Sequence, residues 1–402
     1  MVQAPGTGAT VTRVAFTMIG GGRGTGGYNY LLNLLQVLCS HEGLDITPVL
    51  LLGTDLSDTE TGPFCAISGL EVVRSPAMDA AHKTAALRSA LLWGADAPHL
   101  KLLRAHRIDV VFESAQFFGW RLGIPVVAWI PDFQHRHLPG MFTRKGYWKR
   151  EIGFLAEMAA GRTIMLSSED ARRDCESFYP STVGRTRAVR FAVPPGAALA
   201  PDEARAVADR YQLPPRFFFM PNQLSKHKNH LLVLDALALL RDQGQDVVVV
   251  SSGKQADERH PEHFPAVQAR LQALGLAPQF RMLGMIPYPD LGALMQASVA
   301  LLNPSLFEGW STPVEEARAL GVPLLLSDLH VHLEQAGANA SYFDRHSATA
   351  LATALAGFAT LTPEQRASRN ALARTEATRR VRQFARDFAT LAHDCAARRP
   401  TP

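Results

Sequence analysis

Short apolar runs bounded by turn residues alternate along the chain with segments of helical length. The first series comprises residues 11–18, 46–52, 109–112, 125–130 and 162–166, and the second comprises 216–220, 246–251, 280–283, 299–302 and 323–327. Runs of this length that lack a polar face are typical of strands buried on both sides. Because strands that alternate with helices build parallel sheets, the pattern predicts an α/β protein with two doubly wound sheets.

The segment 193–215, rich in Pro and Ala, separates the two series. Its Pro pairs interrupt regular structure and favour an extended connection, so we place the domain boundary within it. A length of 402 residues also exceeds that of one ordinary domain. We predict two Rossmann-like domains, 1–195 and 196–375, facing each other across a cleft. The remaining segment, 376–402, is predicted to contain an amphipathic helix over 376–397.

Charge and cysteine content narrow the functional classes. A formal net charge of +4 is too small for the signature of a nucleic-acid-binding protein. The four cysteines lie far apart and show no spacing typical of zinc sites or disulfide frameworks. The N-terminus lacks the features of a signal peptide, and no run is long enough to span a membrane. We therefore expect a cytoplasmic protein.

Glu308 and Glu316, with seven residues between them, follow one of the predicted strands. Thr312 is predicted to cap the next helix, with Pro313 as its first residue and Glu315 completing a capping box. The Glu316 side chain is then expected to point from a different side of the same turn. Glu308 lies in the loop before the helix, near the amides and positive dipole of the helix start. This arrangement offers amides to a pyrophosphate and two carboxylates to hydroxyls.

The segment PSLFEGWSTPVEEARALGVPLLLSD resembles PSxxEGxxxPxxEAxxxGxPxxxSD, the hallmark of the glycogen-synthase-like family 4, retaining group 1 glycosyltransferases of the GT-B fold. The resemblance implies that Glu308 binds hydroxyls of the donor sugar and that Glu316 binds those of the ribose. Backbone amides for sugar and phosphate would come from Gly309, Trp310, Ser311 and Thr312. The resemblance also implies that the C-terminal helix packs back on the first domain.

Lys226, His227, Lys228 and His230 lie in the loop after strand 216–220, where cations suit a diphosphate. In family 4 this loop carries an Arg and, six residues later, a Lys that neutralise the leaving nucleotide diphosphate. The spacing assigns these roles to Asn222 and Lys228. Asn222 can donate a hydrogen bond but carries no charge. Lys226 or another group is therefore expected to supply part of the positive charge that stabilises the diphosphate. A solvated charge run is the alternative for this loop taken alone.

The first strand ends in a glycine-rich loop in which Gly22, Gly24 and Gly27 satisfy GxGxxG. This pattern is typical of dinucleotide-dependent oxidoreductases. Those enzymes also have an acidic residue at the end of the second strand, whereas the nearest acidic residue here, Asp55, comes later than that position. Family 4 enzymes also have a glycine-rich first loop, which Gly26 and Gly27 match and which lies against the donor phosphate or acceptor. A tight structural turn is the alternative.

Asp132, His135 and His137 follow the strand 125–130. A metal site is conceivable from these residues, but no third ligand is evident, and ordinary loop hydrogen bonding is favoured. The segment PDFQHRHLP resembles the acceptor-side loop of bacterial polysaccharide-building members of family 4. Asp132 and His135 are therefore candidates to contact the acceptor or the donor sugar.

A basic and aromatic patch follows this loop. It contains Arg144, Lys145, Tyr147, Trp148, Lys149 and Arg150. Such a patch suits a lipid-linked acceptor at the anionic cytoplasmic face of the inner membrane, although a solvated helix face is the favoured interpretation.

No two aspartates stand at DxD spacing, so we expect a donor site that needs neither metal nor cofactor. Lys228 and helix-start amides would stabilise the leaving diphosphate. The resemblance favours GDP-mannose or a related GDP-sugar as donor, then a UDP-sugar, and a glycan or lipid-linked glycan acceptor in bacterial surface polysaccharide assembly. A nucleotide-sugar epimerase, an NAD(P)-dependent oxidoreductase and a non-catalytic nucleotide-sugar-binding protein are the alternatives.

Overall fold

The computed structural model describes residues 11–19, 26–114 and 116–398. Strands within these residues form two parallel sheets. The N-terminal sheet contains β1 (Thr12–Thr17), β2 (Ile46–Leu52), β3 (Glu71–Arg74), β4 (Val110–Glu113), β5 (Val126–Ile130), β6 (Thr163–Leu166) and β7 (Thr186–Ala188). The C-terminal sheet contains β8 (Phe218–Met220), β9 (Val249–Ser251), β10 (Phe280–Met282), β11 (Leu301–Asn303), β12 (Leu324–Ser327) and β13 (Ser341–Phe343).

Helices connect the strands in each half. Those of the N-terminal half are α1 (Gly26–Ser40), α2 (Asp58–Cys65), α3 (Lys83–Trp93), α4 (Ala97–Ala105), α5 (Gln134–His137), α6 (Arg144–Ala159) and α7 (Glu169–Phe178). Those of the C-terminal half are α8 (Pro201–Arg210), α9 (His230–Asp242), α10 (His263–Ala273), α11 (Tyr288–Ala297), α12 (Thr312–Leu320), α13 (His330–Ala336), α14 (Ala348–Ala356) and α15 (Pro363–Ala397).

Each sheet is doubly wound, because the strand order reverses near its centre. The N-terminal order is β3-β2-β1-β4-β5-β6-β7, and the C-terminal order is β10-β9-β8-β11-β12-β13. The direction reverses between β1 and β4 in one sheet and between β8 and β11 in the other. Ligands of such sheets bind at the carboxyl ends of the strands beside this reversal. The predicted fold class, two Rossmann-like α/β domains, is confirmed.

All ten predicted strands are present, with ends shifted by a few residues. The sequence patterns missed β3, β7 and β13, each of which lies at an edge of its sheet. An edge strand is short and only partly buried, so it does not need the continuous apolar run that marks a central strand.

The segment 193–215 differs from the extended connection that we predicted, since α8 lies within it. Ala208 of this helix is buried in a core with Leu294 and Met295 of α11. Regular structure therefore begins earlier in the C-terminal half than the Pro pairs indicate.

The last helix, α15, is longer than predicted and begins at Pro363, where Thr362 and Gln365 form a capping box. Its second half packs on the N-terminal sheet, with Val381, Phe384 and Phe388 in the same core as residues of β1 and β4. No helix among the described residues is long and apolar enough to cross a membrane.

Candidate donor-binding site

The loops that follow β8 and β11 are joined by backbone and side-chain hydrogen bonds. The backbone amide of Leu306 donates to the carbonyl of His227 at 2.8 Å. The side-chain amide of Asn229 donates to the carbonyl of Pro304 at 3.2 Å. Because β8 and β11 are adjacent, their carboxyl ends bring these loops together at the reversal of the C-terminal sheet.

Lys228 and Glu308 meet at this point, with the ammonium nitrogen 2.6 Å from Oε1 of the carboxylate. The hydroxyl of Ser305 donates to the same oxygen at 2.7 Å. Burial of Glu308 raises the pKa of its carboxyl, but the nearby Lys228, His227 and His332, together with the hydrogen bond from Lys228, lower it to about 2. Glu308 is therefore a carboxylate at every physiological pH and accepts hydrogen bonds.

Asn222, predicted to contact the diphosphate, is buried beneath this pair. Its side-chain amide donates to Oδ1 of Asn303 at 3.4 Å, and Asn303 donates in turn to the Ser311 hydroxyl at 2.8 Å. Asn222 thus supports the residues that hold Glu308, and its direct contact with a diphosphate stays a prediction. Lys226 is exposed at the start of the turn that contains Lys228.

The start of α12 differs from the predicted capping box. Ser311 is the N-cap residue, Thr312 is the first helical residue, and the N-cap side chain makes no capping hydrogen bond. Glu315 instead pairs with Arg318 and with Arg380 of α15. The prediction that Thr312 and Glu315 cap this helix is wrong, because two arginines satisfy the Glu315 carboxylate.

Glu316 is half-buried on α12, directly after the first turn, and accepts a hydrogen bond from the Tyr288 hydroxyl at 3.0 Å. Burial raises the pKa of its carboxyl to about 7. Glu308 and Glu316 therefore differ in protonation near neutral pH, since Lys228 lies beside Glu308 and no cation of the described residues shifts the pKa of Glu316.

Gly309 and Trp310 contact the N-terminal domain. A Cβ atom at Gly309 would lie 2.4 Å from the carbonyl oxygen of Pro131, so only glycine fits. The hydroxyl of Ser168 donates to the Gly309 carbonyl at 3.2 Å, and the Trp310 indole donates to the carbonyl of Phe191 at 2.9 Å. The predicted donor loop thus forms part of the contact between the domains.

The structure does not bring Asp132, His135 and His137 together as metal ligands. Nε2 of His135 lies 2.9 Å from a Glu151 carboxylate oxygen in a buried network. Asp132 accepts from Arg150 at 2.6 Å, and His137 pairs with Asp174. His135 is buried with Glu151 as its partner, whereas Asp132 is half-exposed next to Gly309. Sugar contacts of either residue stay predictions.

Gly26 and Gly27 form the first turn of α1, whereas Gly22 and Gly24 lie outside the described residues. A Cβ at Gly27 would approach the Ile19 side chain at 2.5 Å, so the helix start packs closely on the end of β1. Their contact with a donor or acceptor stays a prediction.

Asn303, Ser305 and His332 are site residues to which the sequence patterns assigned no role. The first two hold Glu308, and His332 is buried close enough to influence its charge. Nε2 of His332 has no hydrogen-bond partner among the described residues. Asn303 stands immediately before the motif that contains Glu308, and Ser305 is the second residue of that motif, so both could have been found from the sequence. The approach of His332 to Glu308 is visible only in the fold.

Residues 207–374 match the family model described as "Glycosyl transferases group 1". This range contains Lys228, Glu308 and Glu316. The resemblance to the group 1 glycosyltransferases is thereby confirmed for the domain that carries the candidate site.

Solved structures show the same two-domain architecture over the whole chain. A glycosyltransferase from Rickettsia africae ESF-5 is 15% identical with a TM-score of 0.69, over 96% of this chain and 98% of that one. Anabaena Alr3699/HepE, in complex with UDP and glucose, is 16% identical with a TM-score of 0.69, over 95% and 100%. WaaG, a glycosyltransferase involved in lipopolysaccharide biosynthesis, is 14% identical with a TM-score of 0.54, over 98% and 100%.

No curated protein matches the sequence. The domain that carries the candidate site is therefore of the group 1 glycosyltransferase type, and the chain as a whole has the two-domain GT-B fold of these structures.

Proposed function

We propose that the protein is a retaining glycosyltransferase that moves a hexose from a nucleotide-diphosphate sugar to a glycan or lipid-linked glycan. The observation that carries this proposal is the Lys228–Glu308 pair, which lies where the C-terminal sheet reverses and within the group 1 domain. A cation for phosphate and a carboxylate for hydroxyls are thus held 2.6 Å apart.

The proposed step needs no protein nucleophile. The bond between the anomeric carbon and the diphosphate oxygen breaks while the acceptor hydroxyl oxygen bonds to that carbon on the same face. The acceptor proton passes to the leaving diphosphate oxygen. Lys228 and the amides at the start of α12 stabilise the charge that develops on the diphosphate, which is the main contribution a preorganised site makes.

Glu308 and Glu316 position the donor in this proposal. Glu308 is ionised and accepts hydrogen bonds from hydroxyls of the transferred sugar, whereas Glu316 accepts them from the ribose. Hydrogen bonds to a carboxylate are about twice as strong as neutral ones, so these contacts fix the orientation of the donor.

GDP and UDP are the two candidates for the nucleotide of the donor. The sequence resemblance favours GDP-mannose or a related GDP-sugar, whereas HepE was solved with UDP and glucose. A mannosyl and a glucosyl donor are therefore the first two to test. The absence of a DxD pair from the sequence leads us to propose that neither needs a metal.

An exposed apolar and basic surface on α6 leads us to propose that the acceptor is lipid-linked and that the protein acts in polysaccharide assembly. Trp148, Ile152 and Leu155 are exposed at spacings of four and three residues, and therefore share one face of the helix. Arg144, Lys145 and Lys149 are also exposed beside them. An apolar stripe flanked by cations suits the interface of an anionic bilayer. Arg150 is not part of this surface, because it pairs with Asp132.

The proposed function is tested by nucleotide-dependent thermal stabilisation and then by product formation. Melting temperatures are measured with GDP, UDP, ADP, TDP, NAD and NADP, with and without magnesium, for wild type and Glu316→Ala. We expect one diphosphate nucleotide to stabilise the wild type irrespective of magnesium, and to stabilise the variant less. A response to NAD or NADP alone would overturn the proposal in favour of an oxidoreductase.

Product analysis separates transfer from epimerisation. The donor that stabilises the protein is incubated with glycan acceptors, and the anomeric configuration of the product is read by NMR. Retention of configuration in a new glycosidic bond supports the proposal, whereas an epimerised donor without transfer overturns it.

A further inference from the structure

Three side chains of the N-terminal domain converge at a distance from the donor loops. Nε2 of His82 lies 3.0 Å from Oδ2 of Asp96, and Nδ1 of His99 lies 3.3 Å from the same oxygen. One ligand atom from each of the three side chains lies within 4.8 Å of the other two. Asp96 and His99 are each only 3% exposed, and His82 is half-buried at the surface.

The fold holds these residues in place. Asp96 is the N-cap of α4 and accepts a hydrogen bond from the backbone amide of His99. His82 immediately precedes α3. The cluster therefore joins the starts of two helices, and its geometry is fixed by backbone structure as well as by the side chains.

We propose that His82, Asp96 and His99 form a site for a divalent transition-metal ion, with zinc as its first candidate. In a tetrahedral zinc site with bonds of about 2.0–2.2 Å, neighbouring ligand atoms are about 3.3–3.5 Å apart. The two separations from Asp96 are already close to this value. Two imidazoles and one carboxylate leave a fourth position for water, and imidazole favours zinc over magnesium or calcium.

Gln116 is placed to select the metal-binding form of His99. Its side-chain nitrogen lies 3.3 Å from Nε2 of that imidazole. When Nδ1 binds a metal, Nε2 carries the proton and needs an acceptor, which the Gln116 amide supplies after it turns its oxygen towards the ring. The Ala77 backbone also hydrogen-bonds the His99 side chain and helps to fix its orientation.

The site would tie the segment before α3 to the start of α4. A metal that binds only the folded protein raises its stability in proportion to the logarithm of the free metal concentration. This role is independent of the proposed glycosyl transfer, since Lys228 and Glu308 belong to the other domain.

The test measures metal binding by the full chain. The protein is stripped with a chelator, dialysed and titrated with Co²⁺ while the visible absorption of tetrahedral cobalt is recorded, and bound zinc is counted by elemental analysis. His82→Gln removes one ligand, and Asp96→Asn keeps a good helix cap with a weaker ligand. His106→Gln is the matched control, because His106 pairs with Glu71 elsewhere in this domain.

We expect one metal per chain in the wild type and in His106→Gln, with a rise in melting temperature on adding zinc. Both effects should be lost in His82→Gln and Asp96→Asn, and Gln116→Leu should weaken binding about 10–100-fold. Circular dichroism confirms that each variant is folded. Equal metal content in wild type and His82→Gln, or no binding by the folded wild type, would show that Asp96 only hydrogen-bonds two imidazoles, and would overturn the proposal.

Discussion

Lys228 Nζ lies 2.6 Å from Glu308 Oε1, although the two residues belong to loops after different strands. Each is the charge partner of the other. A donor diphosphate would compete for the ammonium group, and the carboxylate would then accept hydroxyls of the sugar. The pair therefore holds both groups ready, because burying either charge alone is unfavourable.

Replacing Lys228 should separate catalysis from stability. Lys228→Met leaves the buried Glu308 without its cation, which costs about 3–5 kcal/mol of unfolding free energy, and should lower kcat about 10²–10³-fold. The double variant Lys228→Met/Glu308→Gln removes both charges. It should regain much of the stability, measured by urea denaturation, without regaining turnover.

Lys254→Ala is the control for this prediction, because Lys254 is an exposed lysine paired with Glu258 in the same domain. Its turnover and stability should match the wild type. Recovery of activity in the double variant would contradict a role for Lys228 beyond neutralising Glu308.

Donor affinity should depend on pH through Glu316. Its pKa is raised to about 7, so the carboxylate forms only as the pH rises through this value. If the ionised form binds the ribose, the Kd for the nucleotide should fall between pH 6 and 8 in the wild type. Isothermal titration of Glu316→Gln should give a weaker affinity that does not change over this range.

Stability should show the opposite trend at the same residue. A carboxyl whose pKa is raised on folding favours the folded state below its unfolded pKa, and this contribution is lost as pH rises through the folded value. The melting temperature of the wild type should therefore fall relative to that of Glu316→Gln as the pH rises from 5 to 8. Identical pH profiles would show that Glu316 does not titrate in this range.

The central strands and the Glu motif were predictable from sequence because each depends on local pattern. Buried parallel strands need continuous apolar runs, and the Glu308 loop has fixed spacing to the next helix. The partner of Glu315 was not predictable in this way. A capping box was the local solution, but Arg380, distant in sequence, reaches the carboxylate only after α15 has crossed the fold.

Contacts between residues distant in sequence also explain why some site residues were not predicted. His332 approaches Glu308 from a helix after the next strand, and His82 meets Asp96 from the far side of α3. Neither pair has a spacing typical of a motif. The distance between two residues along the sequence does not predict such contacts, because the order of the strands decides which loops lie at the same edge of a sheet.

Gly309→Ala should disturb the contact between the domains. The added methyl group would meet the Pro131 carbonyl, which is backbone and cannot rotate away. We expect kcat/KM to fall at least about tenfold, since a small displacement of a positioning loop has a large catalytic effect. Gly292→Ala is the matched control, because a Cβ there meets nothing within 4 Å. Equal activity of the two variants would contradict this prediction.

The α6 surface should bind anionic vesicles. Replacing Trp148 and Ile152, which are 54% and 61% exposed, with Ser removes apolar area without touching the core. Co-sedimentation with phosphatidylglycerol vesicles should fall, while transfer to a water-soluble acceptor stays unchanged. Leu372→Ser is the control, since Leu372 is exposed on another helix. Unchanged sedimentation of the double variant would show that α6 is an ordinary solvated helix.

Removing the part of α15 after residue 375 should destabilise both halves of the protein. Its Phe384 and Phe388 are buried in the N-terminal core, and its Arg380 pairs with the buried Glu315 of the C-terminal half. Phe384→Ala alone should cost about 3–5 kcal/mol of unfolding free energy, because it leaves a cavity beside the rings of Tyr30 and Phe191. Leu372→Ala, at an exposed position of the same helix, should change it by less than about 0.5 kcal/mol. A chain ending at residue 375 loses the aromatic anchors and Arg380 together, so calorimetry should show a lower melting temperature for both domains. A truncated chain with unchanged melting temperature and activity would show that the two halves are stable without the returning helix.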